Sequence, residues 1–519
     1  MVPARIEAHY LNTVLRRNQP PPSRFIGRRC GVTVILVSNR VADPDVVGPI
    51  EGGLASALLQ AVKTSGAVWV GTRVQQSSPD RKEPLTALAS IGAGTTARVD
   101  LPGALYQQFY RGFANSGLWP ALHSRPDLIR TNEDDYKAYR EVNRMLALAL
   151  RPLVKADARI WVHDYHFLTL AEELRRINIG CPVGFFLHTP FPARTAFVSM
   201  PQHRELVHAL LCYDLLGFQT EEDKTNFADY VGHELGRELD ANIVAGTNAH
   251  LASFPIGIDV QAFAEGALKA AARPDIARLR ASLQASQLAI GVDRIDYSKG
   301  LENRMRAFDR LFHTAPDLKR QVSLLQIALP SRADIPTYDN LRARLAALVS
   351  EINGRHGEVD WTPIRYLNKG FAQWTLAGLY RTAQIGVVTP LNDGMNLVAK
   401  EYVAAQNPLN PGVLVLSRFA GAAKQLDAAL LVNPHDADAV ACAIRQALLM
   451  SPDERRERWD TMMAVLRDSD IDDWFNNFLA ALAATSRQAI NVPYKKTAPA
   501  YAGPSVLPNP FGIAAAKSS

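Results

Sequence analysis

The chain has 519 residues, of which 47% are apolar and 21% are charged, an ordinary balance for a globular protein with a large core. It contains no run of about 18 apolar residues, so we expect no membrane span, and its N-terminus lacks the apolar block of a secretory signal. Part of the formal net charge of +6 comes from arginines in residues 1–30. Since the sequence has no aromatic-rich basic repeats, we interpret this segment as a solvated tail and expect no nucleic-acid partner.

Strand-like apolar runs alternate with helical patterns along most of the chain. We predict strands over 32–39, 67–72, 158–164, 182–190 and 215–220 in the first half, and over 288–295, 322–329, 385–390, 412–417 and 429–434 in the second. Near-continuous apolar strands separated by helices are typical of parallel sheets covered on both faces. The predicted fold class is therefore α/β, with two Rossmann-like doubly wound domains that face each other across a deep cleft.

The joint between the domains is predicted near residues 254–263, where proline and glycine interrupt the pattern. We predict a mobile basic extension over 1–30, a first Rossmann-like domain over 31–256 and a second over 257–470. A C-terminal helix over 471–487 and a mobile tail over 488–519 complete the chain. The four cysteines follow neither a metal-binding nor a disulfide spacing, which is typical of reduced thiols in a cytoplasmic protein.

Polar residues follow several predicted strands of the first domain, at the end where such folds bind ligands. Arg40 follows the first strand, and the glycine pair Gly52 and Gly53 then opens a helix whose N–H groups suit a phosphate. Asp164 and His188 end two consecutive strands, in WVHDYH and LHTPFP. Two such strand ends favour a functional site. No complete set of metal ligands accompanies them, so we predict no metal.

The stretch GVDRIDYSKG places two cations, Arg294 and Lys299, between a strand and a helix of the second domain. Such a position suits an anion, because arginine offers a planar fork and lysine a point charge to phosphate oxygens. The two cations would neutralise a departing diphosphate. The alternative is a pair of surface salt bridges to the neighbouring Asp293 and Asp296.

A second motif, VVTPLNDGMNLVAKEYVAAQ, places Asp393 at the start of a helix and Glu401 about two turns inside it. Asp393 is a candidate for binding sugar hydroxyls and Glu401 for binding ribose hydroxyls. The acidic stretch DSD at 468–470 resembles a metal-binding motif of some transferases. It lies far from any predicted strand end, so we interpret it as helix-capping.

Nine stretches together resemble the trehalose-6-phosphate synthases, retaining glycosyltransferases of family 20 with the GT-B architecture. They are SNR, EGGLA, FANSGLWPALH, WVHDYHF, FFLHTPFP, LLGFQT, FPIGID, DRIDYSKGL and LNDGMNLVAKEYVAAQ, and they occur in family order. The resemblance implies transfer of glucose from a nucleotide-glucose donor to glucose 6-phosphate, giving α,α-trehalose 6-phosphate. The donor would be UDP-glucose or its ADP or GDP counterpart, and the sequence does not distinguish the base.

The resemblance also implies residue roles. On the donor side they fall to Gly52, Gly53, Arg294, Lys299, Phe371, Asp393, Leu397, Val398, Ala399, Lys400 and Glu401. On the acceptor side they fall to Arg40, Tyr110, Trp119, Asp164, Thr189 and Arg332. The catalytic set would be Asp164, His188, Arg294, Lys299 and Asp393, with no metal and no cofactor. Attack would come from the face that the diphosphate leaves.

The resemblance further implies a homodimer or homotetramer and a C-terminal helix that crosses back to the first domain. No phosphatase domain is recognisable, and Asn392 stands where some relatives have a basic residue. Two alternatives remain open: a related transferase using another phosphorylated acceptor, such as glycerol 3-phosphate, and a non-catalytic sugar-phosphate sensor. The intact set of Tyr110, Trp119 and Arg332 favours glucose 6-phosphate.

Overall fold

A computed structural model of the chain describes residues 32–41, 53–74, 85–283, 286–332 and 335–485. The predicted extension over 1–30, the tail over 488–519 and Gly52 lie outside the described residues. No helix in the described part is long and apolar enough to cross a membrane.

The first domain is built on one large sheet. Its strands are β1 (Val34–Val37), β2 (Val68–Val74), β3 (Leu85–Ile91), β4 (Gly94–Leu101), β5 (Arg159–His163), β6 (Val183–Phe186), β7 (Leu215–Phe218), β8 (Leu239–Asp240), β9 (Ile243–Val244) and β10 (His250–Ser253). Its helices are α1 (Gly53–Ser65), α2 (Gly103–Tyr106), α3 (Trp119–Leu122), α4 (Glu133–Leu150), α5 (Leu170–Arg176), α6 (Arg194–Phe197), α7 (His203–Leu210) and α8 (Glu221–Leu235). A π-helix, Gln107–Leu118, joins α2 to α3.

The second domain has a smaller sheet. Its strands are β11 (Gln287–Arg294), β12 (Val322–Leu329), β13 (Ile364–Leu367), β14 (Ile385–Val388), β15 (Val413–Ser417) and β16 (Leu430–Val432). The helices after β10 are α9 (Val260–Ala270), α10 (Pro274–Leu283), α11 (Leu301–Thr314), α12 (Pro336–His356), α13 (Gln373–Thr382), α14 (Leu397–Ala405), α15 (Ala437–Leu449), α16 (Pro452–Asp468) and α17 (Ile471–Ala484).

The strand order confirms the predicted fold class. The first sheet runs β3-β4-β2-β1-β5-β6-β7-β10-β9-β8 and the second runs β13-β12-β11-β14-β15-β16. All described pairs of the second sheet are parallel, and so are the central pairs of the first. The ten predicted strands form, because runs such as VILV and VGFF are buried along their whole length.

Several peripheral strands are not predicted from the sequence pattern. The hairpin of β3 and β4 lies at one edge of the first sheet and β8 to β10 lie at the other, while β13 is an edge strand of the second sheet. In β4 buried residues alternate with half-buried ones, and β10 and β13 each bury a single residue. Strands at or near the edge of a sheet, such as these, lack the continuous apolar run that marks a central strand.

Helix α17 packs on the sheet of the first domain. Asp470 begins it with a capping box, as the sequence predicts for the acidic stretch before it. The ring of Phe478 stacks on Trp161 of β5, with centroids 4.1 Å apart and 7° between the planes. A Cβ on Gly184 or on Gly217 would lie 2.8 Å from the same ring. The absence of side chains at these two glycines therefore lets the helix pack closely on the sheet.

Candidate active site

The backbones of the two domains meet at the carboxyl ends of β6 and β14. Residues 254–259 connect β10 to α9, and the boundary predicted between 256 and 257 falls in this connection. Gly257 of the connection lies against the start of α17, because a Cβ there would be 2.3 Å from the carbonyl carbon of Asp470. A Cβ on Gly394, beyond β14, would be only 2.1 Å from the carbonyl oxygen of His188, beyond β6. The cleft between the domains is therefore closed at this point by backbone packed on backbone.

Lys299 and Asp393 form the ion pair at the centre of the second-domain side. Lys299 ends a 3₁₀ turn, Tyr297–Lys299, that follows β11, and its Nζ lies 2.5 Å from Oδ2 of Asp393. The Nδ2 of Asn396 donates to the same oxygen at 2.9 Å. Arg294 ends β11 with an exposed side chain. The two predicted cations thus flank one turn, and Asp393 is held beside it.

The alternative of local salt bridges for these cations is wrong in the structure. Asp293 is paired instead with the buried Arg304, whose Nη1 lies 2.5 Å from Oδ2. Asp296 is paired with Arg332. Neither neighbouring carboxylate neutralises Arg294 or Lys299 by a direct ion pair among the described residues.

Helix α14 carries a carboxylate with an unusual environment. Burial raises the pKa of Glu401 to about 7, and within the described residues its side chain makes no hydrogen bond or ion pair. Such a carboxylate can receive a pair of hydroxyls. The adjoining residues are partly or wholly buried: Leu397, Val398, Ala399 and Lys400. Phe371 lies half-buried beyond β13, with Nζ of Lys369 5.2 Å from the centroid of its ring.

The side chain of Lys400 does not face the cleft. Its Nζ donates to the carbonyl oxygen of Ile256 in the domain connection and to Oε1 of Gln425, both at 2.6 Å. Burial lowers its pKa to about 7. The predicted donor contact of Lys400 is therefore not made by its ammonium group in this structure, which leaves its backbone for that role.

Arg332 reaches across the domain boundary, and its guanidinium lies over the ring of Trp119 of α3. Its Cζ is 4.0 Å from the centroid of the indole ring. Its Nη1 donates to Oδ2 of Asp296 at 2.7 Å and to the hydroxyl of Tyr338 at 2.8 Å. Its Nη2 lies 3.2 Å from the hydroxyl of Tyr165 in the first domain. A single guanidinium therefore contacts four segments around the cleft.

Tyr110 and Arg40 lie beside this guanidinium on the first domain. Tyr110 is in the π-helix and stacks on Tyr106 and on His166, with centroids 5.1 and 5.8 Å apart. The Cζ of Arg40 is 5.9 Å from the centroid of the Tyr110 ring. The structure thus brings the predicted residues Arg40, Tyr110, Trp119 and Arg332 to one side of the cleft.

Asp164 occupies a strained backbone position at the end of β5, with φ of 74°. Such strain in a non-glycine residue is typical of functional sites. Burial raises its pKa to about 6, against the opposing effects of backbone N–H groups and of the charge on Arg294. The backbone N–H of His188 donates to its Oδ1 at 3.3 Å. Thr189 is buried next to it, and its Oγ1 makes no hydrogen bond among the described residues.

The ring of His188 lies between two polar side chains. Its Nε2 is 3.2 Å from Nδ1 of His163, and its Nδ1 is 3.3 Å from Nε2 of Gln219. Burial lowers the pKa of His188 to about 3, so the ring is neutral. Oε1 of Gln219 accepts from the backbone N–H of Ile256 at 3.0 Å. Nε2 of Gln219 therefore donates to Nδ1 of His188. The proton of the neutral His188 ring is consequently on the Nε2 of His188.

Sequence reasoning missed several residues of this site. Gln219, Tyr165 and Tyr338 carry no charge, and only their position near a motif could have marked them. Asp296 was assigned to a possible surface pair. No group of three or more His, Cys, Asp or Glu side chains in the described part has a geometry that could hold a metal ion.

Two facing Rossmann-like domains with cations on both sides of the cleft between them define a glycosyltransferase of the GT-B architecture. The model of glycosyltransferase family 20 matches residues 42–484. A trehalose-6-phosphate synthase of Sinorhizobium fredii is 44% identical over 458 residues, covering 87% of this chain and 98% of that protein. The chain belongs to glycosyltransferase family 20 and is an enzyme of that class, which confirms the resemblance predicted from its motifs.

Two solved structures add ligands to this comparison. An α,α-trehalose-phosphate synthase (UDP-forming) of Burkholderia xenovorans in complex with glucose-6-phosphate is 44% identical, with a TM-score of 0.83, and the match covers 87% of this chain and all of that one. An E. coli protein of the same kind, bound with UDP-2-fluoro glucose, is 40% identical, with a TM-score of 0.82, and the match covers 87% of this chain and 99% of that one.

Proposed function

We propose that this enzyme transfers the glucosyl group of a nucleotide-glucose, with UDP-glucose as the first candidate, to glucose 6-phosphate with retention of configuration. The product is α,α-trehalose 6-phosphate. The observation that carries the proposal is the arrangement of two separate cationic groups at one cleft: Arg294 and Lys299 on one side, and Arg332 with Arg40 on the other. A reaction between two phosphorylated sugars needs two such groups.

The donor would lie mainly on the second domain. Arg294 and Lys299 hold its diphosphate, with the start of α1 at Gly53, after Gly52, facing the same group. Asp393 receives hydroxyls of the glucose. Glu401 receives the ribose hydroxyls, because an unpartnered carboxylate there would otherwise be desolvated at a cost. The backbone of 397–401 lines the nucleotide, and Phe371 borders the base.

The acceptor would lie mainly on the first domain. Arg332, Arg40 and Tyr110 bind the phosphate of glucose 6-phosphate, and the planar guanidinium of Arg332 suits its oxygens. Trp119 and Thr189 shape the pocket around the sugar. Asp164 binds a sugar hydroxyl, and burial of its carboxylate raises its pKa to about 6.

The reaction requires stabilisation of the leaving diphosphate. Preorganised cations in a site shielded from water are worth several kcal/mol in such a step, and Arg294 and Lys299 supply them. The acceptor hydroxyl attacks from the face that the diphosphate leaves, and a phosphate oxygen of the leaving group takes its proton. Asp164 acts by binding. A covalent glucosyl adduct trapped on Asp164 would contradict this mechanism.

His188 contributes chiefly through its backbone in this arrangement. Its N–H fixes Asp164, and its carbonyl lies against Gly394. We propose that His188 also contacts the donor glucose near the reacting bond, as the family resemblance implies.

The proposal is tested by incubating the purified enzyme with glucose 6-phosphate and each of UDP-, ADP- and GDP-glucose, with and without EDTA. We expect release of nucleoside diphosphate with at least one donor, unchanged by EDTA, since we propose that neither a metal nor another cofactor takes part. Turnover in parallel incubations with glycerol 3-phosphate, and none with glucose 6-phosphate, would indicate the related transferase. Binding of glucose 6-phosphate without any turnover would indicate a sensor.

Cellular location and assembly are further parts of the proposal. We place the enzyme in the cytoplasm, because Cys212 and the exposed Cys442 are free thiols. A homodimer or homotetramer is expected from the family resemblance. Fractionation of cells tests the first statement, and light scattering of the purified protein tests the second.

A further inference from the structure

Asp296 lies between the two groups of cations. It follows β11 and sits between Arg294 and Lys299 in the chain, and its side chain is fully buried. Burial alone would raise its pKa, but the charges of Arg332 and Arg294 outweigh burial and hold the pKa below its usual range. It is therefore an ionised carboxylate in the interior, and such a group is stable only when it is paired and hydrogen-bonded.

One oxygen of this carboxylate orders the acceptor side. Oδ2 of Asp296 accepts from Nη1 of Arg332 at 2.7 Å, and this ion pair is almost wholly buried. Arg332 itself has a left-handed backbone, with φ of 50°. The ion pair helps to hold its guanidinium over the ring of Trp119.

The other oxygen orders the donor side. Oδ1 of Asp296 accepts from the backbone N–H of Ser298 at 3.0 Å and so begins the short turn that ends at Lys299. The indole Nε1 of Trp119, from the first domain, lies 3.4 Å from the same oxygen. The orientation of Lys299 toward Asp393 therefore depends on the same carboxylate that aligns Arg332.

We propose that Asp296 is a positioning residue that couples occupancy of the acceptor-phosphate site to occupancy of the donor-diphosphate site. The inference rests on the proposed function, because it takes Arg332 and Lys299 as the cations of the two sites. A phosphate on Arg332 immobilises Arg332, Asp296 and the turn of Lys299 as one unit. The second ligand then has less ordering to provide, so each ligand strengthens binding of the other.

The test is isothermal titration of UDP into the wild-type enzyme with and without saturating glucose 6-phosphate, repeated on Asp296→Asn. The side-chain oxygen of asparagine can still accept from the backbone N–H of Ser298. Asparagine lacks the negative charge that holds the guanidinium of Arg332. We expect glucose 6-phosphate to tighten UDP binding in the wild type, within the range of about 5- to 150-fold typical of coupled sites. In D296N we expect this factor to fall to about twofold or less, with UDP affinity alone little changed.

Asp214→Asn is the matched control. Asp214 is also buried, and its Oδ2 accepts from Nη2 of Arg175 at 2.8 Å and from the backbone N–H of Val183 at 2.7 Å. It lies at the opposite ends of the strands from the cleft, so D214N should keep the wild-type coupling. If D296N does not fold, Asp296→Glu replaces it, because the longer carboxylate keeps its charge but cannot serve Arg332 and Ser298 together.

Wild-type coupling in D296N, or in D296E when D296N does not fold, would overturn the inference. Equal loss of coupling in D214N would overturn it too, because the effect would then be general loosening of the protein. Absence of coupling in an active wild-type enzyme would also overturn it. Failure of the proposed function is a different result, since the wild type would then turn over no nucleotide-glucose with glucose 6-phosphate.

Discussion

Replacing Gly394 with alanine puts a methyl group where the backbones of the two domains touch. The new Cβ would lie 2.1 Å from the carbonyl oxygen of His188 and 3.0 Å from the carbonyl carbon of Thr189. Backbone atoms cannot turn aside as a side chain does, so one domain has to move from the other. Asp393, next in the chain, would move with it.

The size of the movement follows from the structure. Ordinary van der Waals contact of a Cβ begins at 3.4 Å, whereas the added Cβ would lie 2.1 Å from the carbonyl oxygen of His188. The domains must therefore separate here by about 1.3 Å, the difference between these two distances. A misplacement of about 1 Å at a reacting centre can cost about 100-fold in rate. We therefore expect kcat of Gly394→Ala to fall by about 100-fold, while UDP binding to the second domain changes little.

The assay is release of nucleoside diphosphate at saturating donor and acceptor, with UDP affinity measured separately. Gly354→Ala is the matched control, because Gly354 lies in α12 with no atom within 4 Å of its added Cβ. It should keep full activity and gain about 0.5–1 kcal/mol of stability. Activity of G394A within about twofold of wild type would refute the reasoning, as would an equal loss of UDP affinity.

Three further predictions concern charge and packing. Glu401→Gln should raise Tm more at pH 8 than at pH 5. Burial raises the pKa of Glu401 to about 7, so the stability that the protonated Glu401 contributes is lost as pH rises from about 4.3 to 7. The same gain in Tm at both pH values would contradict this. Phe478→Ala should cost about 3–5 kcal/mol in urea unfolding, whereas the exposed Leu449→Ala should cost about 0.5 or less; equal costs would contradict the packing of α17. Lys299→Met should lower kcat by about 100- to 1,000-fold, and a loss confined to KM would contradict its role at the leaving group.

The sequence predicts the central strands and the residues at their ends because each depends on local pattern. The alternation of side chains along a strand also explains why the alternative of a salt bridge between Arg294 and Asp293 is wrong. Successive residues of a strand point to opposite faces, so Asp293 turns into the core toward Arg304 while Arg294 turns to the cleft. The partners of charged residues are thus set by which face they point to, and adjacency in sequence does not reveal it.

Contacts between residues far apart in the chain could not be predicted from local pattern at all. Lys299 and Asp393 are separated by 94 residues, and Trp119 and Asp296 by 177. Lys400 had the right neighbours for a donor contact, but its ammonium is turned to the connection at Ile256 by burial of that face of α14. Family resemblance transfers residue types to positions, whereas the direction of each side chain is decided by packing.

The most direct test of the central claim is NMR analysis of the sugar product formed from glucose 6-phosphate and UDP-glucose labelled with ¹³C in the glucose ring. The account predicts one new product with the label joined to glucose 6-phosphate through two α-configured anomeric carbons, which is α,α-trehalose 6-phosphate. A β linkage from the labelled ring would contradict retention. Labelled free glucose without a coupled product would contradict transfer to the acceptor.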